Sequence, residues 1–134
     1  MLKAKDVMTK DIISVKRNTS VYEAASLLVQ HNISGMPVVE DDMTLVGIIS
    51  EKDTILLFYD DPTESQKKTV NDFMTQPAIY FDEDESLLDV ADFLVKNIFR
   101  RVPITSKGKI VGIVSIKDVL QVVLDSSRQS VKTA

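Results

Sequence analysis

Two serine–aspartate pairs in this chain have the types and spacing needed to hold a sugar phosphate. Ser50 and Asp53 stand three residues apart, and Ser115 and Asp118 repeat the arrangement. A carboxylate can accept hydrogen bonds from both hydroxyls of a ribose, and a serine at a helix start lies among unpaired amides that favour phosphate. The same spacing also forms an N-terminal capping box, in which both side chains only satisfy the helix backbone. The two roles are compatible, and spacing alone favours capping.

The two pairs belong to a repeat that covers most of the chain. Residues 7–55 align with residues 73–120, and the second copy is one residue shorter in a turn. Such self-similarity predicts a pseudo-symmetric body with paired clefts where the copies meet. The matched positions are Met8/Met74, Thr9/Thr75, Ser20/Ser86, Ala25/Ala91, Pro37/Pro103, Gly47/Gly112, Ser50/Ser115 and Asp53/Asp118.

The composition is that of an ordinary soluble domain. Of 134 residues, 44% are hydrophobic and 27% charged, and the net charge of −4 disfavours binding to nucleic acid or anionic membrane. Because the chain has no cysteine, it can form no disulfide and no sulfur-ligated metal site. No apolar run approaches the ~18 residues of a membrane span, so we expect a cytoplasmic protein.

Each repeat contains an amphipathic helix with clear start and stop signals. Ser20 and Ser86 each precede a helical pattern of apolar residues, and an acid three residues later completes the spacing of a capping box. Asn32 and Asn97 predict left-handed helix ends.

Extended segments surround that helix in both copies. In each copy one apolar segment precedes the helix, and the first segment after it centres on a proline. The second segment after the helix is a nearly continuous apolar run, which suggests a strand buried on both faces. The predicted strands are 12–15, 36–39 and 45–49 in the first copy and 78–81, 102–105 and 110–114 in the second.

A second helix follows each serine–aspartate pair, to about Phe58 in the first copy and Leu124 in the second. We interpret Phe58 and Tyr59 as core residues that close their helix, with an exposed aromatic patch as the alternative. The predicted organisation is a first repeat at 1–59, a linker at 60–69, a second repeat at 70–124 and a polar tail at 125–134.

The set of motifs, in this order and present twice, resembles the cystathionine β-synthase (CBS) domain. The resemblance implies an α/β (α+β) fold of two tandem β-α-β-β-α CBS repeats, related by pseudo-two-fold symmetry in a disc-like, stand-alone pair called a Bateman module. It also implies homodimers and clefts that bind adenosine-containing ligands. The segments that carry the likeness are 7–9, 35–39 and 45–53 in the first copy and 73–75, 100–104 and 110–118 in the second.

The resemblance further implies composite sites, in which the aspartate of one repeat faces the first strand and the pre-proline segment of the other. One site would join Ser50 and Asp53 to Ala78, Ile79, Arg100, Arg101 and Val102. The other would join Ser115 and Asp118 to Ile12, Ile13, Ser34, Gly35 and Met36. Guanidinium groups suit phosphate, so we expect the arginine-containing site to bind phosphorylated adenosine more tightly. The alternative is that the two arginines are solvated or lie at a dimer contact.

The sequence contains no catalytic constellation. With no cysteine, one histidine and four glycines, it lacks a thiol nucleophile and any glycine-rich nucleotide loop. The acidic run 82–85 precedes a helix, where negative charge is favoured, and lacks the spacing of a calcium loop.

We therefore expect no enzyme, no metal site and no required cofactor. The expected function is a regulatory module that senses AMP, ADP, ATP or S-adenosylmethionine and acts on an unidentified effector protein. The alternative is a structural dimerisation module with empty clefts.

Overall fold

The computed structural model describes residues 1–133, with the side chains of residues 1–64 and 66–126. No helix in this part of the chain is long and apolar enough to cross a membrane. In chain order the elements are α1 Ala4–Val7, α2 Val21–Gln30, β1 Gly35–Val39, β2 Leu45–Ser50, α3 Glu51–Thr54, a 3-10 helix Ile55–Tyr59, α4 Pro62–Ser65, α5 Val70–Phe73, β3 Phe81–Asp82, α6 Leu87–Lys96, β4 Arg101–Ser106, β5 Lys109–Ser115 and α7 Ile116–Thr133.

The chain divides into two compact units that do not coincide with the two sequence repeats. The Asp53 unit comprises Ile13–Ile79 and Gly108–Ile110. The Asp118 unit comprises Met1–Ile12, Tyr80–Lys107 and the chain from Val111 onwards. Each unit thus combines the opening segment of one repeat with the main body of the other.

The Asp53 unit is built on an antiparallel pair of strands. In the β1–β2 register Gly35 lies opposite Ser50, and Val15 adds a parallel bridge to Val38. The opening segment of the second repeat crosses β2, where Ile48 and Thr75 exchange backbone hydrogen bonds of 3.1 and 2.8 Å. The buried core consists of Val15, Val21, Ala24, Leu28, Ile33, Met36, Val38, Ile49 and Val70.

The Asp118 unit repeats this plan with a three-stranded sheet in the order β3-β4-β5. β3 runs parallel to β4, with Phe81 opposite Ile104. The opening segment of the first repeat crosses β5, where Thr9 and Ile113 exchange backbone hydrogen bonds of 2.8 and 2.9 Å. The buried core consists of Ala4, Leu87, Val90, Leu94, Val102, Ile104 and Val114.

The amphipathic helices α2 and α6 confirm the predicted apolar pattern, but their starts differ. Ser20 caps α2 as predicted, because its hydroxyl accepts from the amide of Glu23 at 3.0 Å. The hydroxyl of Ser86 accepts from the amide of Leu88 at 3.2 Å and caps α6, so both N-cap serines are confirmed. The predicted capping boxes are wrong, because among the described residues neither Glu23 nor Asp89 accepts from the backbone amide of its serine.

The ends of these helices differ as well. Asn32 has a positive φ of 52° just beyond α2, which confirms the predicted left-handed stop. Asn97 is extended, with φ −127°, so the same prediction for α6 is wrong. Its side-chain amide donates to the carbonyl of Phe93 at 3.0 Å, and this bond satisfies a helix-end acceptor without a left-handed residue.

The predicted strands form, but the first in each repeat is short. In the first copy it is reduced to the bridge at Val15, and in the second it is β3, Phe81–Asp82. β2 and β5 alternate between buried and half-buried residues, so the prediction of strands buried on both faces is wrong. Their second faces are only partly covered.

Two further predictions about the connecting regions are corrected. The linker 60–69, which contains the single turn α4, stays a prediction. Helix α7 continues to Thr133 rather than ending near Leu124, since neither glycine nor proline interrupts this stretch; Ala134 and the side chains beyond residue 126 lie outside the described residues. Phe58 and Tyr59 are 86% and 83% exposed and are not core residues, because the 3-10 helix turns them outward.

Candidate functional site

In the Asp53 unit, the serine–aspartate pair forms the capping box of α3. The Ser50 hydroxyl accepts from the amide of Asp53 at 3.2 Å, and Oδ2 of Asp53 accepts from the amide of Ser50 at 2.9 Å. The amide of Glu51 donates to the carbonyl of Ser34 at 2.9 Å, which ties the pre-proline segment to the helix start. Among the described residues nothing donates to Oδ1 of Asp53, so one carboxylate oxygen remains available to a ligand.

The Asp118 unit reproduces this arrangement at the start of α7. The Ser115 hydroxyl accepts from the amide of Asp118 at 3.1 Å, and Oδ2 of Asp118 accepts from the amide of Ser115 at 2.9 Å. The amide of Ile116 donates to the carbonyl of Arg100 at 2.9 Å. The capping role anticipated from the spacing is therefore confirmed in both units.

Thr9 distinguishes the Asp118 pair from its counterpart. Its hydroxyl donates to Oδ1 of Asp118 at 3.3 Å. Oδ1 is the carboxylate oxygen that takes no part in the capping box. The equivalent Thr75 makes no hydrogen bond to Asp53 in the described part of the chain. Sequence reasoning did not select Thr9 as a site residue; the available signal was the duplicated Met-Thr pair, Met8-Thr9 and Met74-Thr75.

The guanidinium of Arg101 lies within electrostatic reach of Asp118, and Arg100 adds a second positive charge near Arg101. Nε of Arg101 is the one buried side-chain nitrogen or oxygen without a hydrogen-bond partner among the described residues. Burial lowers the pKa of the Arg101 guanidinium, and repulsion from Arg100 lowers it further, while Asp118 opposes both effects. No described ion pair includes either arginine. The two guanidinium groups therefore have no described carboxylate within ion-pair distance.

These contacts correct the predicted crossing of the pre-proline segments. Each one is joined to the Ser-x-x-Asp motif of its own repeat, because Ser34 bonds to Glu51 and Arg100 bonds to Ile116. The negative charge of Asp118 also acts on the guanidinium of Arg101, and both residues belong to the same unit. The expected association of the arginines with Asp53 in one site is thus replaced by an association with Asp118.

The other predicted site residues are distributed between the units and their surfaces. Met36 and Val102 are each 1% exposed and belong to the cores, so only their backbone is placed to meet a ligand. Ile13 packs against the core of the Asp53 unit. Ala78 is half-buried and Ile79 is 44% exposed in that unit, whereas Ile12 lies half-buried in the Asp118 unit.

One glycine in each unit allows the crossing segment to lie close to the strand beneath it. A Cβ atom on Gly47 would stand 2.8 Å from the carbonyl oxygen of Thr75 and 3.0 Å from Sδ of Met74. A Cβ atom on Gly112 would overlap the side chain of Met8, whose own Cβ would be 2.9 Å away. These distances are shorter than ordinary contacts, so glycine at these two positions permits the Met-Thr segments to lie this close to the strands.

The acidic run 82–85 is occupied by contacts with the N-terminal segment. Asp84 forms ion pairs with Lys5 at 2.9 Å and with Lys3 at 3.6 Å. These contacts lower the pKa of the Asp84 carboxyl, the hydrogen bond from Lys5 most of all. Among the described residues, no group of three histidine or acidic side chains is arranged to hold a metal ion.

Known sequences place the chain in a family. A model of the CBS domain matches residues 4–59 and 70–125. YlbB of Bacillus subtilis is 34% identical over 119 residues, which cover 88% of this chain and 80% of YlbB. MJ1225 of Methanocaldococcus jannaschii is 32% identical over 117 residues, which cover 87% of this chain and 41% of MJ1225. The chain therefore spans less than half the length of that relative.

Solved structures with the same architecture carry ligands. CBSX2 of Arabidopsis thaliana, in complex with AMP, has a TM-score of 0.83 and 31% identity, covering 95% of this chain and 99% of that chain. The CBS domain pair of MJ0100, in complex with 5′-methylthioadenosine and S-adenosyl-L-methionine, has a TM-score of 0.75 and 31% identity, covering 94% and 98%. With two matched segments in tandem, the chain belongs to the CBS domain family and contains a pair of CBS domains.

Proposed function

We propose that this CBS pair is a regulatory module that binds an adenosine-containing ligand. The observation that carries the proposal is the duplicated capping box, which uses Oδ2 of Asp53 and of Asp118 for the helix backbone and directs Oδ1 to other donors. CBSX2 and the MJ0100 pair, bound to AMP and to adenosine-containing thioethers and sulfonium, support adenosine as the shared part of the ligand.

The ribose is the part that the aspartates recognise. A carboxylate oxygen has two lone pairs, so Oδ1 of Asp53 can accept from the two hydroxyls of a ribose while Oδ2 keeps its bond to the serine amide. Oδ1 of Asp118 already accepts from Thr9, so it can bind both ribose hydroxyls only when the Thr9 hydroxyl turns away. In this proposal Ala78 and Ile79 line the Asp53 site and Ile12 lines the Asp118 site, where apolar side chains cover the base. Ser34 and Gly35 contribute backbone groups of the Asp53 unit.

The module regulates rather than catalyses. A ligand shifts a conformational equilibrium only through different affinities for the two states, so sensing requires two arrangements of the protein with unequal sites. We propose that these arrangements belong to a homodimer and are recognised by an effector protein in the cytoplasm. Exposed apolar residues after each aspartate, Phe58 at 86% and Val123 at 54%, support a protein contact there.

Thermal unfolding against a panel of ligands tests the proposal. The panel is AMP, ADP, ATP, S-adenosylmethionine and NAD, with GMP as the control for the base. A ligand at 100 times its Kd stabilises the folded state by about 2.7 kcal/mol, a shift of several degrees for a chain of this size. A selective shift with adenosine ligands is expected; no shift with any of them would favour the structural dimerisation module instead.

Asparagine variants separate the ligand role from the capping role. In Asp53→Asn and Asp118→Asn the remaining carbonyl oxygen can still accept from the serine amide, but the second acceptor becomes a donor. We expect each variant to keep its thermal stability without ligand and to lose the ligand-induced shift from its own unit. Loss of stability with an unchanged ligand shift would assign the aspartates to capping alone.

A further inference from the structure

We propose that Thr9 competes with the ribose for Asp118, so that the Asp118 unit gives up a hydrogen bond of its own whenever it binds an adenosine ligand. Thr9 then lowers the affinity of this unit for the ribose and weakens its discrimination between ribose and deoxyribose. Because it concerns how one of the two aspartates meets its ligand, this inference rests on the proposed function.

The hydroxyl of Thr9 occupies the carboxylate that a ribose would use. Its oxygen lies 3.3 Å from Oδ1 and 3.5 Å from Oδ2 of Asp118. Oδ2 is also engaged by the amide of Ser115, at 2.9 Å. Since a carboxylate oxygen has two lone pairs, the two ribose hydroxyls and Thr9 together exceed what Oδ1 can accept. Binding of the complete ribose therefore displaces Thr9.

The contact of Thr9 with Asp118 is one that a ligand can replace. At 3.3 Å it is longer than the about 2.5–2.7 Å of a strong hydroxyl-to-carboxylate bond. Thr9 is exposed, and exposed side chains change rotamer within nanoseconds. Its backbone exchanges hydrogen bonds of 2.8 and 2.9 Å with Ile113, which hold the main chain while the hydroxyl turns. Rotation about one side-chain bond thus exchanges Thr9 for the ribose.

The Asp53 unit has the matching residues without this contact. Thr75 occupies the position of Thr9 in the repeat and is held by an equivalent pair of backbone bonds, to Ile48. The hydrogen bonds described for Asp53 are those of the capping box with Ser50, and Thr75 is not among its partners. The two units therefore differ in a contact rather than in residue type, and we expect the ribose to be bound without competition in the Asp53 unit.

Titration calorimetry with adenosine and 2′,3′-dideoxyadenosine tests the competition, in an Asp53→Asn background that leaves the Asp118 unit as the intact site. Thr9→Val removes the hydroxyl and keeps the branched shape of the side chain. We expect it to tighten adenosine binding about two- to fivefold in Kd, the low end of the range for a net hydrogen bond. Dideoxyadenosine has no ribose hydroxyl to displace Thr9, so its Kd should not change.

Two control variants separate the hydroxyl from the rest of the side chain and from its position in the repeat. Thr9→Ser retains a hydroxyl and should restore the Kd of adenosine to that of the threonine-containing protein. Thr75→Val, in an Asp118→Asn background, removes the matched hydroxyl and should leave the ratio of the two dissociation constants unchanged. Thermal unfolding of each variant without ligand verifies that it folds.

The outcomes separate this inference from the proposed function. Unchanged or weaker adenosine binding in Thr9→Val overturns the competition and leaves adenosine binding intact. Equal tightening of both ligands also overturns it, because a general structural change would act on both. Tighter binding of adenosine alone, reversed in Thr9→Ser, supports the competition.

The background variant provides the remaining distinction. Binding of adenosine to the wild type but not to Asp53→Asn overturns the role of Asp118, and this inference with it, while the Asp53 unit keeps its proposed ligand. Failure of adenosine to bind the wild type overturns the proposed function and the competition together.

Discussion

The Asp53 and Asp118 units share one backbone framework and differ in the side chains that line it. Both have a Ser-x-x-Asp capping box with an amide-to-aspartate distance of 2.9 Å, and both have a Met-Thr segment crossing a glycine-containing strand. The Asp118 unit adds Arg100, Arg101 and a hydroxyl from Thr9, where the Asp53 unit has Ser34, Gly35 and an unbonded Asp53 Oδ1.

The comparison separates residues that satisfy the backbone from residues that are free to change. Serine and aspartate are needed in both units because they satisfy amides at a helix start. The residues just before the buried strand contribute a carbonyl to the same helix start, and any residue type has one. Their side chains can therefore differ without loss of the fold, and ligand preference can diverge between the two units.

Substitution of Gly47 or Gly112, the strand glycines beneath the crossing Met-Thr segments, should produce the largest losses of stability. Gly47→Ala places a methyl group 2.8 Å from a backbone oxygen that cannot rotate away, and we expect a loss of about 1–3 kcal/mol in the free energy of unfolding. Urea unfolding measures this loss. A neutral effect would show that the Thr75 segment is not held against β2.

Gly112→Ala sharpens the comparison, because the obstacle in the Asp118 unit is mainly the flexible side chain of Met8. We expect a smaller loss than for Gly47→Ala. In a double-mutant cycle, Met8→Ala should partly relieve Gly112→Ala, whereas Met74→Ala should not relieve Gly47→Ala, whose closest neighbour is backbone. If both methionine substitutions restored the same amount of stability, the distinction between a side-chain obstacle at Gly112 and a backbone obstacle at Gly47 would be contradicted.

The two capping serines should contribute similar amounts. Ser50→Ala and Ser115→Ala each remove one hydroxyl acceptor, at 3.2 and 3.1 Å from its amide, and should each cost about 1 kcal/mol. The two losses should add in the double variant if the sites are independent. A loss confined to one serine would mean that the shared framework is not equally important in both units.

The threonines should differ, although their sequence positions match. Thr9→Val removes the hydrogen bond to Asp118 and should lower the free energy of unfolding by about 0.5 kcal/mol, the low end for a net hydrogen bond at an exposed position. Thr75→Val removes no described side-chain bond and is the matched control. A larger loss of unfolding free energy for Thr75→Val than for Thr9→Val would contradict the assignment of the stabilising hydrogen bond to Thr9.

The exposed aromatic residues should have the smallest effect on the isolated fold. Phe58→Ser alters a side chain that is 86% exposed, so we expect a change within about 0.5 kcal/mol in the free energy of unfolding at low protein concentration. A large loss that depends on protein concentration would instead show that Phe58 is covered by a second protein molecule.

The sequence was sufficient to predict the elements with strong periodic or capping signals. The helices after Ser20 and Ser86, the paired strands around Pro37 and Pro103, and both Ser-x-x-Asp boxes are confirmed. Finer choices were wrong where a side chain offered an alternative of similar energy. Asn97 bonds back to the helix instead of adopting a left-handed conformation, and Ser86 caps a different amide.

The location of the arginines could not be predicted from spacing. The exchange of opening segments between the repeats is a tertiary event, since Val70 enters one core and Ala4 the other. Local patterns do not report which copy of a repeat a segment joins. Residue type alone therefore selected the candidate residues, while the association of Arg101 with Asp118 required the structure.

Calorimetric titration of AMP into the wild-type chain and into Asp53→Asn and Asp118→Asn tests the central claim most directly. We expect saturable binding to the wild type, and in each variant the loss of the sites of one unit with no change in the melting temperature of the ligand-free protein. The Asp118→Asn variant should lose the tighter sites. Wild-type affinity and stoichiometry in both variants would contradict the claim that these aspartates bind the ribose.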